Sequence, residues 1–538
     1  MDYILKYTFY VLVLSVLMGV STWKLYKKMG YNPLFSFIPF YNYYIILKEV
    51  GRPKWWAALS YLPIAGLVMM TVFHLFLMRK FSKHSLGDKL LTVLLPFIYL
   101  AIVNYSDKAE LDKGEDELYL TEEEKKERKK ETFIGSVTFA IVFATVIHTF
   151  ITQPFGIPTG SMERTLLVGD FLFVNKLGLG YRMPMRPLAL PFMQSTIMDT
   201  GKKGNPKDDP KSYVNAVQLP YFRLPGWDVL KRKDIVVFNY PRDSVNTAID
   251  RKDPYVKRCV AVSGDTVEMK AGRLFVNGKQ EQLMGDQELQ HSYLVYTTQE
   301  LDVNDLWNRL CYLPLQEQQL PNGGYVYQFQ GLTDKLLNEI KELPEFVKAE
   351  EVISPKGEKT ISYFNPQRTK IDTAQSIFPI NKNWNPDWYG PLRIPKKGDV
   401  VHLTMDNLPE YQWIISQYEH NKLELRDGKI FINGKPADTY TIKQNYYFMM
   451  GDNRDASLDS RFFGFVPEEN ILGKPMFTWM SVQGVFDPGP KKIRWDRMFK
   501  ATNTGEANKT SYWWIAVIIL VLFFGWDNIM KYFRKKKD

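Results

Sequence analysis

Cysteine is nearly missing from this chain: Cys259 and Cys311 are the only two among 538 residues. That excludes a disulfide-stapled secreted scaffold and any cysteine-rich zinc or iron–sulfur module, and leaves room for a single disulfide at most. Histidine is scarce too, with six scattered residues and no His-Glu-x-x-His pair, so a zincin-type metal site has no support. Neither a P-loop nor a Gly-x-Gly-x-x-Gly pattern occurs, which removes the usual sequence support for a nucleotide. No cofactor and no metal are expected. What is present is apolar surface. Aromatics make up 14% and charged residues 24%, a balance too apolar for a disordered polymer. The length allows about two to four domains. Lys and Arg number 69 against 59 Asp and Glu, a net charge of +10. Its placement in short loops beside apolar runs points to membrane rather than nucleic acid.

Five apolar runs lie near the two ends: Tyr7–Val20, Trp56–Met78, Leu90–Val103, Phe133–Ile151 and Tyr512–Trp526. A spanning helix needs about 20 mostly apolar residues. The second and fourth runs meet that, and the first and fifth do so once their aromatic flanks are counted. The third is short, and can be read as a span or as a re-entrant or buried helix. No small-x-small cleavage pattern follows the first run, and the Lys24–Lys28 cluster behind it reads as an anchor. Lysine and arginine in short loops mark the cytoplasmic side. Arg534–Lys537 and Lys125–Lys130 therefore put the C-terminus and the start of the fourth run inside, and everything between the fourth and fifth runs outside. Arg79, Lys80 and Lys83 dissent if the third run spans, and agree if it does not. The expected organisation is a multi-span membrane region with cytoplasmic linker (1–130), a transmembrane helix (131–152), an extracytoplasmic domain (153–509), and a C-terminal transmembrane helix with basic tail (510–538).

Between the fourth and fifth runs the texture changes. Short runs rich in Val, Ile, Phe and Tyr alternate with turn signals, as in Asp234–Tyr240 and Arg273–Lys279. Asn277-Gly278 and Asn433-Gly434 read as hairpin turns, since both central positions favour positive φ. The fold class expected is a mainly β, antiparallel ectodomain flanked by transmembrane α-helices. Lys233–Phe238 with Gly272–Lys279 echoes Gly398–Leu403 with Gly428–Lys435, through duplication or because hairpins look alike. Two polar, irregular stretches, about 176–230 and 285–390, read as insertions on the β core. The second holds a helical piece, Leu332–Leu343, that Pro344 would end.

Three segments carry candidate chemistry. Ile157–Asp170 places Ser161, flanked by Gly160, in a turn just beyond the fourth run. Alone this is weak, because most turn serines simply satisfy backbone. Tyr255–Asp265 places Lys257 among Val256, Cys259 and Val260; such a strand lysine is ordinarily exposed. Met449–Arg461 crowds Asp452, Asp455, Asp459, Arg454, Arg461, Ser457 and Ser460 into a segment suited to a hydrogen-bonded loop, and a purely structural salt-bridge loop would read the same.

Together the three resemble the bacterial type I signal peptidases, the serine/lysine-dyad leader peptidases. Pro158-Thr-Gly-Ser-Met162 matches the nucleophile box, Tyr255-Val-Lys-Arg258 the lysine box, and Gly451–Arg461 the last box. Lys233–Pro241 adds the strand before the lysine. The blocks stand in the family's order and cover about 70 residues, leaving out 1–130, both insertions and the C-terminal helix. The resemblance implies a β-rich catalytic domain on the outer face of a bacterial plasma (inner) membrane, periplasmic where an outer membrane exists. It implies that Ser161 is the nucleophile and Lys257 the general base, and that Ser457 orients the lysine amine. Thr159 and the Ser161 N–H would form the oxyanion hole. Arg258, Asp452, Asp459 and Arg461 would be structural supports, and Phe155, Ile157, Met162, Leu166, Tyr255 and Val256 would line apolar pockets for small substrate side chains. The implied activity is cleavage of signal peptides from translocated preproteins after small-x-small sites. The implied partners are preprotein signal peptides, the lipid bilayer and the protein-translocation machinery. Three features depart from the family pattern: Thr159 where serine is usual, Arg164 where proline is usual, and a C-terminal membrane helix. Two alternatives are a non-catalytic membrane scaffold on a decayed peptidase domain, which the intact Ser161, Lys257 and Ser457 oppose, and a self-cleaving regulator with the same dyad. The second would need a DNA-binding helix-turn-helix where this chain has membrane sequence.

Overall fold

The run Ile235-Val-Val-Phe-Asn239 is buried at every position and forms a strand in the middle of a nine-stranded sheet in the computed structural model. A strand covered on both faces has no use for polar alternation, which is why its sequence is apolar from Ile235 to Phe238. The structure describes residues 3–62, 65–111, 144–190, 192–197, 209–243, 248–285, 287–302, 313–321, 323–360, 376–486 and 490–502, with 141, 306, 514 and 517 as single positions. Most of the fourth apolar run, nearly all of the fifth, and Cys311 lie outside the described residues. The chain divides into two units. One comprises Met1–Gln153, Gly180–Pro225 and Ser244–Asp253, the other Pro154–Leu179, Gly226–Asp243 and Pro254–Asp538.

The second unit is mostly β. Its main sheet is built from β1 (Thr152–Gly156), β2 (Asp170–Asn175), β3 (Ile235–Asn239), β4 (Pro254–Ala261), β5 (Tyr446–Met450), β6 (Val466–Pro467) and β7 (Ile471–Gln483), in the order β1-β2-β7-β3-β4-β5-β6, with two short strands, Lys492–Ile493 and Lys500–Ala501, also pairing with β7. The recorded pairings are antiparallel: Val236 faces Lys257 across β3–β4, and Met449 faces Cys259 across β4–β5 beside a bulge. Val236, Phe238, Cys259, Met449 and Phe463 share one buried cluster, while Ile157, Met162, Leu166, Leu172 and Ile235 share another. These two clusters fix the nucleophile turn and the lysine strand relative to each other.

Both Asn-Gly pairs adopt the expected turn, with positive φ at Asn277, Gly278, Asn433 and Gly434. The echo between the two hairpin regions extends to their hydrogen bonds. Asn277 Oδ1 accepts from Thr266 N–H and its amide donates to Asp265; Asn433 Oδ1 accepts from Lys422 N–H and its amide donates to Asn421.

Among its described residues, the stretch 285–390 holds regular structure. It contains a four-stranded antiparallel sheet in the order Phe346–Glu351, His291–Thr297, Tyr325–Leu332, Gln316–Gln319. A helix over Asp334–Lys341 is capped by the Thr333 hydroxyl and packs Leu336, Leu337 and Ile340 against Val295, Tyr327 and Phe329. The edge strand Gln316–Gln319 is wholly polar and exposed, so apolar alternation is confined to the inner strands.

The first unit is helical: α1 (Tyr3–Lys28), α2 (Tyr41–Glu49), α3 (Ala65–Lys80), α4 (Leu86–Leu94) and α5 (Pro96–Tyr105). Among the described residues, α1 is the one helix long and apolar enough to cross a membrane. The third apolar run is broken. Leu95 leaves the helical region at φ −132°, ψ 56°, and Pro96 opens α5. The Tyr99 hydroxyl donates back to Asp88 across the break. The C-terminal flank of the pair lies near the C-terminal end of α1: Asn104 Oδ1 accepts from Lys24 and Leu25 N–H, and Lys28 Nζ donates to Ser106 and Ala109 carbonyls. Lys80, ending α3, meets Glu49, which also accepts from Tyr31. Residues 180–225 group with the helices rather than with the β core, Leu188 and Val217 packing on the helical cluster.

Candidate active site

Ser161 lies in a single 3₁₀ turn, Gly160–Met162, between β1 and β2. The turn is closed by two backbone bonds, Ile157 N–H to Asp170 O and Gly169 N–H to Ile157 O, each 2.9 Å. Met162 and Leu166 anchor it from below, both essentially inaccessible. Lys257 projects from the middle of β4, where the surrounding clusters strip water from its amine. Its Nζ donates to Ser161 Oγ at 2.6 Å and to Val256 O at 3.1 Å. Burial, only partly opposed by Asp459 and Asp452, pushes this lysine from its ordinary 10.5 down to about 8. A side chain that sequence statistics would place in water is 4% exposed and held beside a serine hydroxyl.

The loop Gly451–Arg461 packs on the other side of the turn. Asp452 accepts from Arg258 Nε at 2.8 Å and Nη2 at 2.5 Å, from Thr165 Oγ1 at 2.6 Å and from Gln287 Nε2 at 3.2 Å. Burial alone would raise the Asp452 carboxyl; the Arg258 guanidinium and these donors outweigh it and hold it below the usual range. Asp459 accepts from Gly451 N–H and from Arg461 Nε and Nη2, and caps the short helix Ser460–Phe463. Burial lowers the Arg461 guanidinium, but Asp459 more than compensates, so it is held above its ordinary value. Asp455, half-buried and accepting from Ser292 N–H, is pushed up to about 6 by desolvation. Cys259 is a free, buried thiol, also pushed up by burial. Gly451 is glycine for want of room. A Cβ there would lie 2.2 Å from Ser457 Oγ and 2.4 Å from Ser161 O.

Two expected features differ. Ser457 is fully buried beside Gly451, yet its Oγ has no hydrogen-bond partner, and the second bond of Lys257 goes to Val256 O instead. A cavity of about 310 Å³ opens at Ser161 and Lys257, with Phe155, Ile157, Tyr255 and Val256 in its walls. Met162 and Leu166 do not line it; they lie behind the wall, in the cluster with Leu172 and Ile235. Thr159 is exposed at the cavity rim. Arg164 has φ +69°, which the ring of proline forbids, so the departure from the family's proline goes with a different local turn.

The structure adds residues to the site. Leu172, Val237, Pro254 and Leu458 complete the cavity, and Thr165, Gln287 and Asn453 hold the turn and the loop together. Asn453 stands inside a motif legible in the sequence, whereas nothing in the sequence marks Gln287. Among the described residues no group of three or more His, Cys, Asp or Glu side chains could hold a metal ion.

Residues 130–328 and 416–480 match the family model described as signal peptidase, peptidase S26. Residues 34–112 match a separate family of unknown function, DUF5684. The chain is 33% identical to signal peptidase I of Pseudomonas aeruginosa over 396 residues, covering 71% of this chain and 80% of that protein. It is 28% identical to signal peptidase I of Buchnera aphidicola subsp. Schizaphis graminum, covering 67% and 78% respectively. For signal peptidase I of Haemophilus influenzae the identity is 26%, covering 71% and 80%.

Proposed function

The chain belongs to the signal peptidase family, peptidase S26, and from that premise we propose how its own residues perform the cleavage. It is a serine endopeptidase that removes signal peptides from preproteins. The observation carrying the mechanism is the 2.6 Å contact between Lys257 Nζ and Ser161 Oγ in a desolvated setting. A serine hydroxyl is a weak nucleophile until a neighbouring base takes its proton. Lysine can be that base only when neutral, and burial supplies the condition. Ser161 Oγ attacks the scissile carbonyl while Lys257 accepts its proton. The tetrahedral oxyanion accepts hydrogen bonds from the Ser161 N–H and the Thr159 hydroxyl. Collapse breaks the peptide bond, with Lys257 returning the proton to the leaving amine and the signal peptide left as an ester on Ser161. Water, deprotonated by Lys257, then hydrolyses the ester. Arg258, Asp452, Asp459 and Arg461 hold the loop on which this geometry depends.

The walls formed by Phe155, Ile157, Tyr255 and Val256 leave a small apolar volume, which supports small side chains on the signal-peptide side of the cut. The basic ends of the apolar runs support a multi-pass protein in the plasma membrane, its catalytic domain extracytoplasmic and next to preproteins emerging from the translocation machinery. To test the specificity, the purified full-length protein in detergent is given a preprotein with alanine one and three residues before the cut, and the products are read by mass. Cleavage at that bond is expected, with tryptophan at either position blocking it. Efficient cleavage of the tryptophan substrates at the same bond would refute the small-pocket assignment.

A further inference from the structure

One buried residue grips the nucleophile turn from behind and has no part in the mechanism above. Asn453 donates from its backbone N–H to Ser161 O and from Nδ2 to Gly160 O, each at 3.2 Å. We propose that Asn453 is the positioning residue of the oxyanion hole, holding the Gly160–Ser161 peptide plane so that the Ser161 N–H faces the scissile carbonyl. The proposal rests on the Ser161–Lys257 assignment.

Gly160 C=O and Ser161 N–H are the two ends of one planar peptide unit and point in opposite directions when it is trans. Whatever fixes the carbonyl therefore aims the N–H. Gly160 O receives two donors, Glu163 N–H at 3.0 Å and Asn453 Nδ2, so both of its lone pairs are engaged. Among the hydrogen bonds of the described residues, none takes the Ser161 N–H. It is a first-turn donor of the 3₁₀ helix and is left available. With Ser161 O held by the same asparagine, the peptide units on both sides of the nucleophile are fixed by one residue. Asn453 is 6% exposed, and its Oδ1 has no partner, so the donor end of the amide is the end in use.

Asn453 is itself splinted. Gln290 N–H donates to Asp452 O at 3.1 Å and Arg454 N–H donates to Gln290 O at 3.0 Å, a parallel bridge around Asn453. Gln290 Nε2 reaches Gly331 O at 2.7 Å on the strand Tyr325–Leu332. The small sheet of the second insertion is thereby tied to the residue that aims the oxyanion donor.

The test compares full-length wild type, Asn453→Asp and Asn453→Ala in detergent. Aspartate keeps the shape and the backbone bond but presents oxygen to the Gly160 carbonyl. The kcat of both variants is expected to fall by about 10²-fold, the typical effect of losing an oxyanion donor. KM should stay within about twofold, because the bond strengthens only as charge develops. Affinity for a peptide aldehyde, whose hemiacetal oxygen occupies the oxyanion site, should fall with kcat/KM. Affinity for the matching uncleavable peptide amide should hold. The acid limb of the Asn453→Ala pH profile should not move, since Lys257 is untouched. Near-normal kcat in either variant, equal loss of affinity for aldehyde and amide, or loss of folding in both variants would overturn the proposal. If wild type does not cleave, the dyad assignment fails instead.

Discussion

A buried lysine amine destabilises the fold in the same act that prepares it as a base. The folded protein holds Lys257 at about 8 against an ordinary 10.5. Between those values the unfolded chain binds a proton that the folded protein has released, so stability rises with pH across that window. Below about pH 8 both states are protonated and the penalty of the buried ammonium is complete, roughly 3 kcal/mol at about 1.36 kcal/mol per unit. Lys257→Met keeps the apolar stem and deletes the charge. It should be inactive, yet melt at a higher temperature than wild type below pH 8, with the gap closing as the pH approaches 10.5. Wild-type kcat/KM should rise with pH and level off above about 8. Parallel thermal melts and rate profiles measure both. A Lys257→Met variant less stable than wild type at neutral pH would show that the amine is not held in a desolvated site.

At the scale of elements, the most consequential feature of the helical unit is a break. At about 1.5 Å per residue, α4 and α5 are each only about half the thickness of a bilayer core of roughly 30 Å. The outer end of α5 lies against the end of α1 that carries Lys24 and Lys28, and Lys80, shortly before α4, meets Glu49, which Tyr31 also reaches. We propose that the pair is a re-entrant hairpin, so that its two flanks, at His84 and Lys108, lie on one face of the membrane. His84→Cys and Lys108→Cys, each made with Cys259→Ala and Cys311→Ala, should react with a membrane-impermeant thiol reagent from the same, cytoplasmic face. Reaction from opposite faces would establish that 86–105 spans. The length of the apolar run leaves both options open in the sequence; the break at Leu95 and the Tyr99–Asp88 bond are what favour the hairpin.

Across the whole molecule, legibility followed the range of the interactions. The Asn277-Gly278 and Asn433-Gly434 turns were readable because positive φ at two neighbouring positions admits few residue types. The Asp334–Lys341 helix was readable from its apolar spacing and the stop at Pro344. The sheet of the second insertion was hidden by its polar, exposed edge strand Gln316–Gln319. Met162 and Leu166 stand next to the nucleophile in sequence but fall behind the cavity wall, a distinction between wall and core that spacing does not encode. Gln287 and Asn453 act across separations of 165 and 293 residues, beyond any local pattern. The pairing of Ser161 with Lys257, 96 residues apart, was readable only through the resemblance of whole motifs, and its chemistry depends on the burial that the fold provides. Cleavage of one preprotein by four versions of the full-length protein tests that chemistry most directly: wild type, Ser161→Ala, Lys257→Ala and Lys257→Arg. Wild type should cut, and the three variants should be folded and inactive, since nucleophile and base act as a unit and a guanidinium cannot serve as the base. Substantial turnover by any folded variant would contradict the dyad.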